Sequence, residues 1–493
     1  MSILEIEDRI IEKRDKIKFM PLIKSISGIR GTIGGEPGDN LTPLEIVRFT
    51  AAYASFLKKK YSDDIKLKIV VGRDGRISGP VVRDLVIGTL LSCGADVIDL
   101  EQATTPTVEM GVLELNARGG IILTASHNLA GWNALKLLNA SGEFLTAIEG
   151  NEILKIAEQE SFLFATEDKL GKLTQNREIA DNHLKKILAL SLVDREKTTS
   201  RNFKVVVDGI NSVGGVMVPK LLKLLGVDEI IELNCEVNGC FAHKPEPLDE
   251  NLQEIKARVI LEKADLGIVV DPDVDRLAFI DENGLMFGEE YTLVAVADYV
   301  LENFATVDAA NPGKYEKATV SNLSSSRALR DVAEKHGAKH EAAAVGEVNV
   351  VQKMKELKAA IGGEGNGGVI FPELHYGRDA LVGLALFLSA LAEKEMKMSE
   401  YRKTFPEYFM VKDKLELSAG MNIAELLQKI KDNYRNEKIT DVDGVKVDWP
   451  DSWVHLRASN TEPIIRIYAE ALSQELAAAR VKEIKDKILA YIK

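Results

Sequence analysis

Four short segments of the chain carry side chains whose types and spacing could do chemistry. The apolar run GGIILTA ends at Ser126-His127-Asn128. A strand that stops at a small hydroxyl residue beside a polar turn puts that hydroxyl at the carboxyl edge of a sheet, where open α/β proteins hold ligands. Ser126 is therefore a candidate nucleophile; the competing reading is a strand-end turn whose side chains bond only the local backbone. In LGIVVDPDVDRLAFIDENG, Asp271, Asp273 and Asp275 recur at every second residue between two apolar runs. Carboxylates that close repel one another unless a hard cation neutralises them, and Mg²⁺ is the natural occupant. Asp271, Asp273, Asp275 and Glu282 also fall at EF-hand positions, but the residue that would have to turn on glycine is Arg276, and strand-like runs flank the loop, which excludes calcium. An apolar strand ending in D-x-D leaves open an aspartyl-phosphate phosphatase with Asp271 as nucleophile. A solvated acidic turn is the third reading, and three carboxylates after an apolar strand would be costly there without a purpose.

The third segment, GGEGNGGVIFPELHYGRDA, sets Glu364 and Asn366 among five glycines. Glycines let a backbone approach a ligand closely, and Glu and Asn offer the acceptors and donors that read sugar hydroxyls; glycine-rich turns are common in any role. The fourth is Arg457-Ala-Ser459-Asn460-Thr461-Glu462-Pro463, with Arg466 nearby. A guanidinium, two hydroxyls, an amide and exposed turn amides make a phosphate cradle, with an ordinary loop as the alternative.

Elements must position these segments, and one shape recurs three times: strand, polar loop, amphipathic helix, glycine stop, strand. It runs from KLKIVV through GRDGRISG to Gly94 and ADVIDL, from FKVVV through DGINSVGG to Gly226 and VDEIIEL, and from ATVSNL through SSS to Gly337 and AKHEAAAV. A β-branched run followed by a 3.6-residue period with a glycine cap predicts a βαβ unit each time. After about Met398 the pattern shifts to alternating stretches and two helices, Ile423 to Tyr434 and a final one to Lys493, predicting a smaller α+β domain. The expected division is 20–172, 173–286, 287–398 and 399–493, preceded by an amphipathic extension over 1–19. No Pro- or Ser-rich linker marks the joints, so the domains should pack directly on one another.

The length, 493 residues, fits about three or four domains at roughly 150 residues each. Hydrophobic residues make up 45% and charged residues 28%, a globular balance that excludes disordered and collagen-like classes. With 63 Lys and Arg against 76 Asp and Glu the net charge is −13, so binding of nucleic acid or an anionic membrane through overall charge is not expected. Three cysteines cannot frame a chain this size, and the Cys235/Cys240 pair lacks the second pair of a zinc site, so a cytoplasmic setting is expected. The amino-terminal segment has no continuous apolar core and is not a secretory signal. Ala380 to Ala392 is too short for a membrane span, about 20 residues, and should be a buried helix.

Taken together, T-A-S-H-N at 124–128, D-P-D-V-D-R at 271–276, G-E-G-N-G-G at 363–368 and R-A-S-N-T-E-P at 457–463 occur in the order and spacing of the α-D-phosphohexomutase superfamily, which includes phosphoglucomutase, phosphomannomutase and phosphoglucosamine mutase. The resemblance spans residues 21 to 493. It implies three topologically similar α/β domains with mixed sheets and a smaller carboxyl-terminal α+β domain around a central active-site cleft. It further implies that Ser126 is the phosphoserine, that Asp271, Asp273 and Asp275 bind one Mg²⁺ per chain with that phosphate, that Glu364 and Asn366 hold sugar hydroxyls, and that Arg457, Ser459, Asn460 and Thr461 hold the phosphate that is not reacting. Arg30, His127, Lys136 and Arg276 match active-site positions of the family. Lys136 is the candidate base for the Ser126 hydroxyl, a poor nucleophile unaided, with Arg30 helping to position it. Substrates would be hexose phosphates, with the sugar 1,6-bisphosphate as activator. Two departures from the dual phosphomannomutase/phosphoglucomutase type stand out: Asn366 and Gly368 replace Ser and His in G-E-x-S-G-H, and Glu347 stands where that type has His and bacterial phosphoglucosamine mutases have Asp. The combination is most similar to an archaeal branch and points to glucosamine phosphate, with mannose and glucose phosphates as the alternative. Glu347 would either face the sugar C2 or only orient a phosphate-binding lysine or its own turn. A non-catalytic sugar-phosphate-binding protein on the same fold is the remaining alternative, although such a chain would normally have lost Ser126 or an aspartate.

Overall fold

The computed structural model describes residues 22–25, 28–61, 66–417, 422–458 and 464–492. The extension over 1–19 and the loop residues Ser459, Asn460 and Thr461 lie outside them. The described strands form four sheets. The first holds β1 (Ile23–Ser25), β2 (Gly28–Thr32), β3 (Lys68–Arg73), β4 (Asp96–Gln102), β5 (Gly119–Leu123), β6 (Trp132–Leu138) and β7 (Leu173–Gln175), in the order β1-β2-β6-β5-β3-β4-β7. The second holds β8 (Lys204–Asp208), β9 (Glu229–Leu233), β10 (Leu266–Val270) and β11 (Leu277–Asp281), in the order β11-β10-β8-β9. The third holds β12 (Glu316–Asn322), β13 (Lys339–Ala343), β14 (Ala359–Glu364) and β15 (Gly368–Ile370), in the order β13-β12-β14-β15. The fourth is antiparallel throughout: β16 (Phe409–Glu416), β17 (Lys438–Thr440), β18 (Val445–Asp448), β19 (Ser452–Ala458) and β20 (Ile464–Ala471), in the order β16-β20-β19-β18-β17.

The three recurring segments form the expected βαβ units, since β3 with β4, β8 with β9 and β12 with β13 are parallel pairs. The first crossover helix, Gly79–Ser92, shows why: Pro80 opens it, and Val82, Val86 and Leu90 repeat at i, i+4, i+8 on one buried face,. Gly94, Gly226 and Gly337 follow their helices with φ of 80°, 86° and 63°, the left-handed stop for which glycine has no Cβ penalty.

In each of these sheets the parallel strands end in one antiparallel hairpin: β5 with β6, β10 with β11 and β14 with β15. Those three hairpin turns carry Ser126, the three aspartates, and Glu364 with Asn366; the β19–β20 hairpin carries the fourth segment. The first three chemical segments therefore occupy one topological place in three sheets.

Two joints differ from the sequence expectation. Residues 173–175 form β7 and pair with β4, so the first sheet continues past 172. Met398, Tyr401 and Phe405 belong to a core shared by the second and third domains, so the chain leaves the third domain only after Phe405. The centre of that core is the helix Ala380–Lys394, buried at every position from Ala380 to Ala392. No helix among the described residues is long and apolar enough to cross a membrane. Phe387 on this helix stacks on Phe279 at 3.9 Å and meets Phe287 edge-on at 5.2 Å. Phe387→Ala is expected to cost about 3–5 kcal/mol, read as a lower denaturant midpoint; a change below about 1 kcal/mol would mean that this core does not tie the two domains together.

Candidate active site

The four segments meet around one cavity of about 710 Å³ whose walls include Ser126, Arg276, Glu364, Asn366, Arg457 and Arg466. Arg30, His127, Lys136 and Glu347 also face it.

Ser126 holds φ at 48°, a left-handed conformation for a residue with a side chain, and such positions persist only where the surroundings over-determine them. They do here. The Arg76 guanidinium donates to the carbonyls of Ser126 and Asn128, both at 2.6 Å, and to those of Leu129 and Trp132 at 2.7 and 2.9 Å. Asp74 pairs with Arg76 at 3.0 Å, both side chains fully buried, and accepts from Thr124 Oγ1 at 2.7 Å. Thr124 Oγ1 in turn accepts from the Ser126 amide at 2.9 Å. The serine loop is thus clamped by the GRDGR turn that follows β3.

Ser126 Oγ donates to Asp271 Oδ2 at 2.7 Å. Behind it, Asp271, Asp273 and Asp275 are all buried and bring carboxylate oxygens within 4.8 Å of one another, a group that can hold a metal ion. Asp271 Oδ1 accepts the amides of Asp275 and Arg276, each at 3.1 Å. Asp273 Oδ2 accepts from Thr105 Oγ1 at 2.6 Å and Lys136 Nζ at 2.7 Å, while Asp275 Oδ2 accepts from Arg378 at 2.8 Å. Asp273 Oδ1 and Asp275 Oδ1 are buried with no hydrogen-bond partner. Buried carboxylate oxygens without partners, in an all-oxygen donor set, fit a hard divalent cation. Burial and the neighbouring Asp275 and Asp273 charges push Asp271 well above the usual carboxylate range.

Lys136 is buried in ion pairs with Asp273 and Asp275 at 2.7 and 3.5 Å. Burial favours its neutral amine, but the two carboxylates outweigh burial and raise its pKa. In this arrangement Lys136 carries its proton. His127 Nδ1 lies 3.3 Å from Ser126 Oγ; burial, with the Arg276 and Arg30 guanidiniums, pushes its pKa down to about 2, so it is a neutral imidazole. Arg30 reaches across from β2 and donates to Asn128 Oδ1 at 2.9 Å. Arg276 pairs with Glu246 at 3.0 Å.

On the opposite wall, Glu364 accepts from Asn322 Nδ2 at 2.8 Å and from the Gly346 amide at 3.1 Å. Arg378 binds three carboxylates at once: Asp275 at 2.8 Å, Glu347 at 2.9 Å and Glu364 at 3.2 Å. Glu347 opens the helix Glu347–Leu357 and takes both the Arg378 amide and Nε, so its carboxylate orients an arginine, not a lysine. The glycines around Glu364 serve close packing within the protein. At Gly367, with φ 83°, a Cβ would stand 2.3 Å from the Leu277 carbonyl of the metal-loop strand, and at Gly365 it would run into the Glu290 carboxylate.

In the fourth sheet Arg457 and Arg466 face each other directly across β19 and β20. Like charges in that relation destabilise a sheet pair, and both side chains line the cavity, where an anion would relieve the repulsion. Arg457 also pairs with Asp443 at 2.9 Å.

Asp74, Arg76 and Arg378 are the charged groups that spacing did not single out. The signal available for the first two was a polar GRDGR turn at the same sheet edge as Ser126; for Arg378 it was a charge in G-R-D just after the glycine loop. Comparison with known sequences and structures places this arrangement. Four families described as phosphoglucomutase/phosphomannomutase, alpha/beta/alpha domains I, II and III and the C-terminal domain, match residues 22–164, 181–284, 289–409 and 411–487. A phosphoglucomutase/phosphomannomutase of Thermococcus kodakarensis is 35% identical over 91% of this chain and 95% of its own. A phosphoglucosamine/phosphogalactosamine mutase of Sulfurisphaera tokodaii is 34% identical over 93% and 97%. The crystal structure of a phosphoglucomutase/phosphomannomutase family protein from Burkholderia thailandensis shares the fold, with a TM-score of 0.78 at 24% identity, covering 96% of this chain and 98% of that one. With four domains in register and this degree of identity over nearly the whole chain, the protein belongs to the phosphoglucomutase/phosphomannomutase family of phosphohexomutases.

Proposed function

We propose that the protein interconverts hexose 6-phosphates and hexose 1-phosphates through a phosphorylated Ser126, with glucosamine phosphate as the preferred substrate. The reading rests on one observation above all: the Ser126 hydroxyl hydrogen-bonds Asp271 of the aspartate triad at the edge of a cavity to which all four domains contribute.

The active form carries a phosphoryl group on Ser126 Oγ. A sugar hydroxyl, O1 or O6, attacks the phosphorus and passes its proton to solvent in the cavity; the P–Oγ bond breaks, a P–O bond to the sugar forms, and Oγ takes a proton from Lys136. Lys136 starts as an ammonium and is suited to give the proton to Oγ; in the return half-reaction the same amine takes it back when Ser126 attacks. Arg30 and neutral His127 fix the loop and Oγ. Asp271, Asp273 and Asp275 would hold Mg²⁺, which would supply charge neutralisation at the transferring group. The resulting 1,6-bisphosphate, also the activator, reorients in the cavity with Arg457, Arg466, Ser459, Asn460 and Thr461 as the proposed holders of its idle phosphate, while Glu364 and Asn366 hold ring hydroxyls. Unpaired cysteines fit a cytoplasmic reaction.

The substrate preference follows from charge. Glu347 and Glu364 share the single Arg378 guanidinium; burial raises the Glu347 pKa while Arg378 holds Glu364 as a carboxylate, and an ammonium at C2 beside the pair would be met by carboxyl oxygens whichever of the two carries the charge. The Thermococcus relative supports mannose and glucose phosphates as the second reading. A panel of kcat/KM values for glucosamine 6-phosphate, mannose 1-phosphate and glucose 1-phosphate tests the choice. Wild type should prefer the amino sugar, and Glu347→His should erode that preference by about 10-fold, within the 1–3 kcal/mol that one contact supplies. A wild-type preference of tenfold or more for the neutral sugars transfers the assignment to phosphomannomutase/phosphoglucomutase.

A further inference from the structure

Away from the cavity, His183 on the helix Glu178–Leu188 meets His375 and Asp379, which flank Arg378. His183 and Asp379 are fully buried and His375 is 5% exposed. Asp379 Oδ2 faces Nε2 of both imidazoles, at 2.9 Å from His183 and 3.3 Å from His375. A tetrahedral ion with nitrogen and oxygen ligands at about 2.0–2.1 Å spaces its donors by about 3.3 Å; the two Asp379–imidazole contacts already stand within a few tenths of an ångström of that spacing, and all three donor atoms lie within 4.8 Å of one another.

The outer atoms are arranged as around a metal. Histidine ligands hand their second ring nitrogen to a fixed acceptor; His183 Nδ1 lies 3.0 Å from Thr107 Oγ1 and His375 Nδ1 lies 3.4 Å from Glu109 Oε2. Asp379 Oδ1 is spent on the amides of Leu381 and Val382 at the start of the long buried helix, which leaves Oδ2 for the ion. A separate observation points the same way: Glu109 is fully buried, and beyond the 3.4 Å ion-pair contact with His375 neither of its carboxylate oxygens accepts a hydrogen bond. A buried carboxylate without partners is costly unless a cation lies near, and a divalent ion would balance Glu109 and Asp379 together.

We propose that His183 Nε2, His375 Nε2 and Asp379 Oδ2 form a second metal site, buried in the fold and with its fourth position left to a water, for a divalent transition ion of the zinc type. Imidazole nitrogen selects such an ion over Mg²⁺, which suits the all-oxygen triad. The ion pins the helix Glu178–Leu188 to the loop that carries Arg378, so it holds the guanidinium that ties Asp275, Glu347 and Glu364 together. The site stands whether or not the substrate assignment does.

The test uses the full-length protein bearing Asp271→Asn and Asp273→Asn, stripped with chelator and titrated with Co²⁺. One equivalent should bind with the intense visible absorption of a tetrahedral centre and be displaced by Zn²⁺. His183→Gln added to that background should abolish the band, and Glu109→Gln should keep it while weakening affinity about 10- to 100-fold, the usual cost of losing an outer partner. Folded background protein that takes up no Co²⁺ or Zn²⁺, or a band that survives His183→Gln, identifies a hydrogen-bonded cluster only and overturns the proposal. The background protein decides this even if His183→Gln does not fold.

Discussion

Ser126→Ala protein should show no turnover with any hexose phosphate, a loss of at least about 10⁴-fold, as when a covalent nucleophile is removed from a site that otherwise still binds. The structure makes the substitution a clean one. The Ser126 backbone is held by Arg76, Thr124 and Asp74, none of which touches Oγ, so alanine keeps the loop and deletes only the hydroxyl that bonds Asp271. Circular dichroism and thermal unfolding should match wild type. Turnover retained within tenfold would show that phosphoryl transfer does not pass through this residue.

Metal removal should have the second largest effect. Three buried carboxylates and, in the proposed phosphorylated form, the Ser126 phosphate concentrate negative charge where a transferring phosphoryl group adds more, and a bound cation is worth several kilocalories per mole there, on the order of 10³-fold or more in rate. EDTA should stop turnover and Mg²⁺ should restore it. Asp273→Asn should lower kcat similarly and shift the Mg²⁺ dependence to higher concentration, because it removes both a ligand and the main partner of Lys136. Activity unchanged in excess EDTA would contradict the assignment of all three aspartates.

Much of this was legible in the sequence because it is local. A β-branched run, a helical period and a glycine stop are short-range patterns, and the units around Gly94, Gly226 and Gly337 fold as that chemistry dictates. The aspartate triad was visible because its residues are two apart and the strand before them is fully apolar. What stayed hidden depends on convergence across the chain. Arg378 looks like a loop charge, and its importance comes from carboxylates at 275, 347 and 364 that only the tertiary fold brings to it. Arg76 sits 50 residues before the Ser126 carbonyl it holds. Glu109 lies buried on its helix beside Val108, Met110 and Val112 and gives no periodic signal of its contact with His375. The glycine loop was read as room for a ligand because composition cannot say what a missing Cβ avoids; Leu277 and Glu290 are what it avoids. Glu347 was read through its charge, and its tie to the Arg378 amide and guanidinium is a matter of helix placement.

The central claim, that Ser126 is the phosphoryl carrier, is tested most directly by isotope transfer. Protein incubated with glucose 1,6-bisphosphate labelled with ³²P and freed of small molecules should hold the label on the peptide that contains Ser126, and unlabelled hexose monophosphate should then chase it into sugar phosphate. Label found on another residue, or rapid turnover by protein that never acquires label on Ser126, would contradict it.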